Sequence, residues 1–245
     1  MLLMLAIFLA GLVVGSFLTV AIARLPARQS LWSPRAACPA CGSPIGAYDT
    51  IPLLSFALLR GACRYCRSPI SWRYPVVEAV TGGLFALAFW RFGVSAALLP
   101  ALVLLAALVV ITGIDLAHQL IPDRITLPGI AVGLMANIVT GQVSWAGSVI
   151  GAAAGAMIFF AIIVLTRGGM GGGDMKLAAM LGAFLGWPAG LFAFFIAVML
   201  GSVVSMTLLI SGRRGRKDLL PFGPFLAVGG ATALFVDRPW SLFGS

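Results

Sequence analysis

Two kinds of side chain stand out in this sequence: acids set beside long apolar runs, and cysteines set in pairs. Asp174 follows Gly171-Gly172-Gly173 and precedes Met175-Lys176 between two apolar stretches, while Asp115 closes the run ending Ile111-Thr112-Gly113-Ile114. A carboxylate beside hydrocarbon is unfavourable unless it is paired or used, so both acids are candidate functional groups. If the two carboxyls meet they share a proton, one acting as base toward water and the other as acid toward a substrate carbonyl. The glycines before Asp174 carry no Cβ, which admits unusual dihedrals and close approach by a second chain, as a cleft requires. The alternative is structural: each acid ends a helix, and Asp174 pairs with nearby Lys176. On the residues alone both readings stay open.

The cysteines form two Cys-x-x-Cys knuckles, Cys38-Pro39-Ala40-Cys41 and Cys63-Arg64-Tyr65-Cys66. Four thiolates at this spacing make a closed tetrahedral zinc site like that of a zinc ribbon, and four protein ligands leave no open position, so the metal is structural. It would hold together a loop too small to build its own core. Two disulfides are the alternative, and a reducing cytoplasm disfavours them. Arg60, Arg64, Arg67 and Arg73 surround the knuckles, either as solvated orienting charge or facing an anionic substrate or lipid. Glu78 lies just inside the next apolar segment, where it either pairs with Arg73 or receives a cationic group.

The other acids read as structural. Asp49 lies in the cysteine loop, Asp123 precedes an apolar helix as a candidate N-cap, Asp218 sits among Arg214, Arg216 and Lys217, and Asp237 stands beside Arg238. The single histidine, His118, is too few for a multi-histidine metalloprotease, there is no Gly-x-Ser-x-Gly elbow, and local hydrogen bonding or capping is its simplest role.

The elements that must position these groups follow from composition. With 61% hydrophobic and 9% charged side chains over 245 residues, the chain has too little polar surface for a soluble globule. It reads as an all-α polytopic membrane protein. Crossing the hydrocarbon takes about 20 apolar residues. Spans fit 2–23, 76–92, 96–114, 125–139, 143–166 and 221–236, and the stretch 177–210 divides at Gly186-Trp187-Pro188 into a short and a longer helix. The first run has no basic start and no small-residue cleavage site, so it reads as an uncleaved anchor, with Gly11, Gly15 and Ser16 admitting a close helix neighbour. Composition divides the chain into a first transmembrane helix (1–24), a soluble cysteine loop (25–75) and a helical membrane domain (76–245). Threading the spans puts the cysteine loop, both aspartates and the basic run from Arg213 on one side. Of the 16 Lys and Arg, only Arg91 and Arg238 fall on the other, which makes the first side cytoplasmic. The basic excess is therefore an orientation signal with attraction to membrane lipid, and not a nucleic-acid footprint. No convincing short-period repeat is visible.

Along nearly its whole length the chain resembles the type IV prepilin peptidases (leader peptidase/N-methyltransferases) of the Gly-x-Gly-Asp membrane aspartic proteases. The resemblance rests on Gly15-Ser16-Phe17-Leu18 with Arg24-Leu25-Pro26, both cysteine knuckles, Ile51-Pro52-Leu53 and Arg73-Tyr74-Pro75-Val76-Val77-Glu78. It continues through Ile114-Asp115, Ile121-Pro122-Asp123, Gly171-Gly172-Gly173-Asp174-Met175-Lys176-Leu177 and Pro221-Phe222-Gly223-Pro224. It implies eight transmembrane helices in the bacterial cytoplasmic (inner) membrane. It further implies catalysis by Asp115 and Asp174 at the cytoplasmic face, cleavage of prepilin or pseudopilin leaders, and methylation of the new N-terminus with S-adenosylmethionine by members that keep the cysteine loop as a methyltransferase-associated region. On this reading Gly171, Gly172 and Gly173 form a substrate-approach loop and Glu78 is a candidate for the cationic cofactor. Two positions depart: Thr19 stands where the family often has Asn, and Ala117 where a further acid often follows the first aspartate. The rival readings are a peptidase without methyl transfer, and an ion-coupled transporter whose aspartates bind cations.

Overall fold

A computed structural model describes residues 1–31, 37–167, 170–212 and 220–236. The basic run at 213–217, Asp218, Asp237 and Arg238 lie outside the described residues. Among the described residues the regular elements are all helical, with two isolated antiparallel bridges, Ala37 to Pro44 and Ala62 to Pro69. Among the described residues five helices are long and apolar enough to cross a membrane: α1 (Leu2–Arg24), α3 (Arg73–Phe92), α4 (Leu98–His118), α6 (Trp145–Leu165) and α7 (Gly172–Ile210). Between and after them come the one-turn α2 (Leu54–Leu58), α5 (Asp123–Thr140) and α8 (Gly223–Phe235). At 13 residues α8 is about 20 Å long, shorter than a full crossing.

The chain divides into two compact units, Met1–Val94 and Ser95–Ser245. In the first, α3 lies along α1, so this helix, grouped by composition with the later spans, packs instead in the N-terminal unit. The small residues expected to admit a neighbour do so: a Cβ on Gly11 would lie 2.8 Å from the Gly82 Cα, and one on Gly15 would lie 2.8 Å from the Glu78 Cα. Thr19, the departure noted above, is spent locally, its hydroxyl donating to the Ser16 carbonyl at 2.7 Å.

In the second unit, the buried side chains of Leu104, Leu108 and Ile111 on α4 join Phe159 on α6, Leu177 and Leu181 on α7 and Leu226 on α8 in one core. Local chemistry ends and starts these helices. The Ser144 side chain accepts the Gly147 N–H at 3.1 Å to cap α6, and α5 stops at Gly141 in the left-handed region. A straight α7 of 39 residues would be about 58 Å long, roughly twice the hydrocarbon thickness. It breaks where the sequence indicates: Gly186 takes φ 76° and ψ 177°, a conformation that L side chains avoid, and Pro188 follows without an N–H to donate.

Candidate active site

Asp115 lies one turn inside the end of α4, and Asp174 is the third residue of α7 rather than part of a preceding turn. Both are buried, with 4% and 8% of their surface exposed, and Asp115 is near enough for its charge to act on Asp174. The fold thus brings within electrostatic reach two acids far apart in sequence, each near a helix end. The pairing of Asp174 with Lys176 does not occur. The Lys176 Nζ instead donates to both oxygens of Asp123 at 2.7 Å, joining the first turns of α7 and α5. Asp123 is the first residue of α5 and makes no capping bond, since Pro122 holds the cap position. His118 is exposed at the last turn of α4.

A third group completes the arrangement. The backbone N–H of Gly223, the first residue of α8, donates to Asp115 Oδ2 at 2.8 Å, across 108 residues of sequence. A Cβ at position 223 would sit 2.7 Å from that oxygen, so only glycine brings the amide this close. Phe222 holds the amide in place. Its ring lies 6.0 Å from that of Phe159 and 5.9 Å from that of Phe225. The helix N-terminus adds its own positive field to the contact. Asp174 is treated differently: its Oδ1 is buried and meets no described hydrogen-bond donor. One oxygen is held and another is left free, which suits a pair that must exchange a proton with a third molecule.

The three glycines before Asp174 take ordinary dihedrals, Gly171 extended and the next two helical, so the expected unusual backbone is absent. What they supply is room. A Cβ on Gly173 would collide with Ile121 at 2.8 Å, whereas one on Gly172 would meet nothing within 4 Å. Gly172 therefore presents bare backbone to open space beside Asp174.

In the first unit the four cysteine sulfurs lie within 4.8 Å of one another, and none is in a disulfide. Cys38 Sγ and Cys66 Sγ are 3.7 Å apart, close to the edge of about 3.8 Å in a tetrahedron of 2.3 Å metal–sulfur bonds. The donor set therefore fits a tetrahedral thiolate-bound ion. The N–H groups of Cys41 and Ala40 draw the Cys38 thiol down to about 6, and the Ser68 hydroxyl draws Cys66 down, favouring the thiolate that a metal needs. The amides of Cys66 and Tyr65 act on Cys63 in the same sense, but burial and the adjoining sulfurs outweigh them and its thiol lies above the ordinary value.

The knuckles are copies of one another. Ala37-Cys-Pro-Ala-Cys-Gly-Ser-Pro-Ile45 and Ala62-Cys-Arg-Tyr-Cys-Arg-Ser-Pro-Ile70 match at every position but three, a short repeat contrary to the expectation of none. Each closes through the same two bonds. Cys38 N–H donates to Ser43 O and Gly42 N–H to Cys38 O; Cys63 N–H donates to Ser68 O and Arg67 N–H to Cys63 O. Gly42 and Arg67 both adopt positive φ, 70° and 59°. Arg64 braces the second knuckle by donating to both oxygens of Asp49.

Glu78 is buried on α3, and its Oε2 accepts the Leu53 N–H at 2.9 Å, holding Leu53 at φ 57°. Through this oxygen it pins the loop to the helix.

Among the described residues, the fold and site define an all-helical membrane protein with two buried acids near helix ends within electrostatic reach of one another, and a four-cysteine cluster in the N-terminal unit. Family models described as "Bacterial Peptidase A24 N-terminal domain" and "Type IV leader peptidase family" match residues 9–92 and 102–206. The prepilin leader peptidase/N-methyltransferase of Burkholderia pseudomallei (strain 1026b) is 42% identical over 262 residues, covering 95% of this chain and 85% of that protein. The proteins of the same name from Bacillus subtilis (strain 168) and Neisseria gonorrhoeae are 37% and 38% identical, covering 93% and 90% of this chain and 92% and 86% of their own lengths. No solved structure matches. The chain belongs to the type IV leader peptidase family.

Proposed function

We propose that this protein cleaves the leader peptide of type IV prepilins or pseudopilins and methylates the amine so released. The observation that carries the peptidase reading is that Asp115 and Asp174, both buried, lie within electrostatic reach of one another, with the Gly223 amide on one and no donor on the buried Oδ1 of the other. Two acids so placed share one proton. The ionised member takes a proton from water as it attacks the scissile carbonyl, and the protonated member gives its proton to the developing oxyanion. Collapse of the tetrahedral intermediate passes a proton to the departing amine and returns the pair to its starting state. The bare backbone at Gly172 gives an extended substrate room to lie alongside Asp174.

Cys38, Cys41, Cys63 and Cys66 would hold a zinc ion that stabilises the loop and takes no part in peptide cleavage. S-adenosylmethionine is the methyl donor, and Glu78, with one oxygen held by the Leu53 N–H and the other available, is the residue we assign to the cationic cofactor. The protein works in the bacterial inner membrane with the cysteine loop and both aspartates at the cytoplasmic face, where a basic leader would meet anionic lipid.

The test is cleavage of a prepilin by the purified full chain, with the product's N-terminus weighed by mass spectrometry. Cleavage and an added methyl mass are expected from the unaltered protein, and neither Asp115→Asn nor Asp174→Asn should cleave. Full cleavage by either variant would overturn the peptidase reading, and an unmethylated product with donor in excess would overturn the transferase.

A further inference from the structure

The break in α7 leaves backbone groups in need of partners deep in an apolar region. Gly186 leaves the helical conformation and Pro188 has no N–H, so carbonyls in the preceding turn lose their usual donors. Two side chains from other helices take their place. The Nδ2 group of Asn137, near the end of α5, donates to the carbonyls of Ala183 at 2.9 Å and Phe184 at 3.0 Å. Ser148 Oγ on α6 also donates to Ala183 O and lies 3.2 Å from Asn137 Nδ2. Asn137 and Ser148 are buried, at 6% and 0% exposure. Asn137 is the only asparagine in the chain.

The segment held in this way is the one that begins with Asp174. At its start, Lys176 is tied to Asp123 on the first turn of α5; at its end, Ala183 and Phe184 are tied to Asn137 on the last turns of the same helix. Helix α5 therefore runs beside residues 172–185 and grips both ends. The grip at the start is half exposed, where an ion pair contributes little, and the grip at the break is buried, where an unmet carbonyl is costly. We infer that Asn137, seconded by Ser148, is a positioning residue for the peptidase reaction: by meeting the carbonyls freed at the break it fixes the short half of α7 and so places Asp174 against Asp115. This rests on the peptidase reading above. Asn137 touches neither acid and acts only through the rigidity of that half-helix.

The test compares the unaltered full chain with Asn137→Leu, which keeps the approximate volume and removes both donors, and with Ser148→Ala, a milder loss at the same carbonyl. Prepilin cleavage is measured as kcat and KM, and hydrogen exchange is followed separately over 177–185 and 223–235. For Asn137→Leu, kcat should fall about tenfold or more with KM within about twofold, since a misplaced acid slows the chemistry without altering the surface that binds substrate. Exchange should quicken over 177–185 and not over 223–235. Ser148→Ala should move both readouts the same way by less, and it carries the test if Asn137→Leu does not fold. Faster exchange over 177–185 with kcat unchanged would overturn the inference, as would equal loss of protection in both segments. If the unaltered protein cleaves no prepilin, the functional reading fails, and pinning by Asn137 then stands or falls on the exchange comparison alone.

Discussion

The cysteine cluster and the carboxylate pair are built in opposite ways. Each half of the cluster is made by a few consecutive residues, with Cys38 and Cys63 each closing its own turn through bonds to residues four and five positions on. The carboxylate site has no local version. Asp115, Asp174 and the Gly223 amide come from three helices and meet only once α4, α7 and α8 have packed around Phe159 and Leu226. A local site fails locally, whereas a site assembled across a core feels every change in how the helices sit.

The largest expected effects separate the two regions. Asp115→Asn and Asp174→Asn should each lower prepilin cleavage by roughly a thousandfold or more while bound metal, measured by atomic emission, stays unchanged. The converse variant, Cys41→Ser, should take metal content from about one ion per chain to near none and leave hydrogen exchange in α7 and α8 as it was. Metal loss that loosened α7 would break the contrast.

Next in size is Gly223→Ala. Its Cβ would have to displace Asp115 Oδ2 or move the start of α8, so kcat should fall about ten- to a hundredfold, again with full metal content. A smaller effect belongs to the brace on the cysteine loop. The Arg64 guanidinium holds the Asp49 carboxyl below the usual carboxylate range. The brace is therefore fully present above that range, about pH 4, and is lost as pH falls through the lowered value. In Asp49→Asn it is missing at every pH, so acid should release the metal at a higher pH than in the unaltered protein, as followed with a colorimetric chelator. Smallest is Arg67→Gly, which gives the second knuckle the residue its twin already has in the left-handed region. It should stabilise the loop by up to about 1 kcal/mol, read from the midpoint of chelator-induced unfolding.

The same contrast explains what the sequence disclosed. Cysteine spacing reports a local geometry, so the cluster is legible directly, and the repeat that doubles it was there to be read. The helices were legible from hydropathy, and the α7 break from Gly186-Trp187-Pro188, because both depend on near neighbours, although α5 and α8 fall short of the crossings expected of them. Asp115 and Asp174 were visible as acids out of place, but their meeting depends on packing that no short window contains. Lys176 shows the limit. Proximity in sequence offered it Asp174, while the fold gave it Asp123. Gly223 was hidden for a different reason: its contribution is a backbone N–H, identical in every residue but proline, and only Pro224 signalled that a helix starts there. Asn137 did leave a trace, as a lone amide in an apolar helix, which membrane interiors seldom hold without a partner.

The bond from residue 223 to Asp115 also sets an order of events during synthesis. The two acids emerge from the ribosome well before the amide that anchors one of them, so a chain still being made has its chemistry in hand but unsecured. On the peptidase reading proposed above, the pair is complete only once α8 has joined the core, so cutting would wait until the helical body is nearly whole.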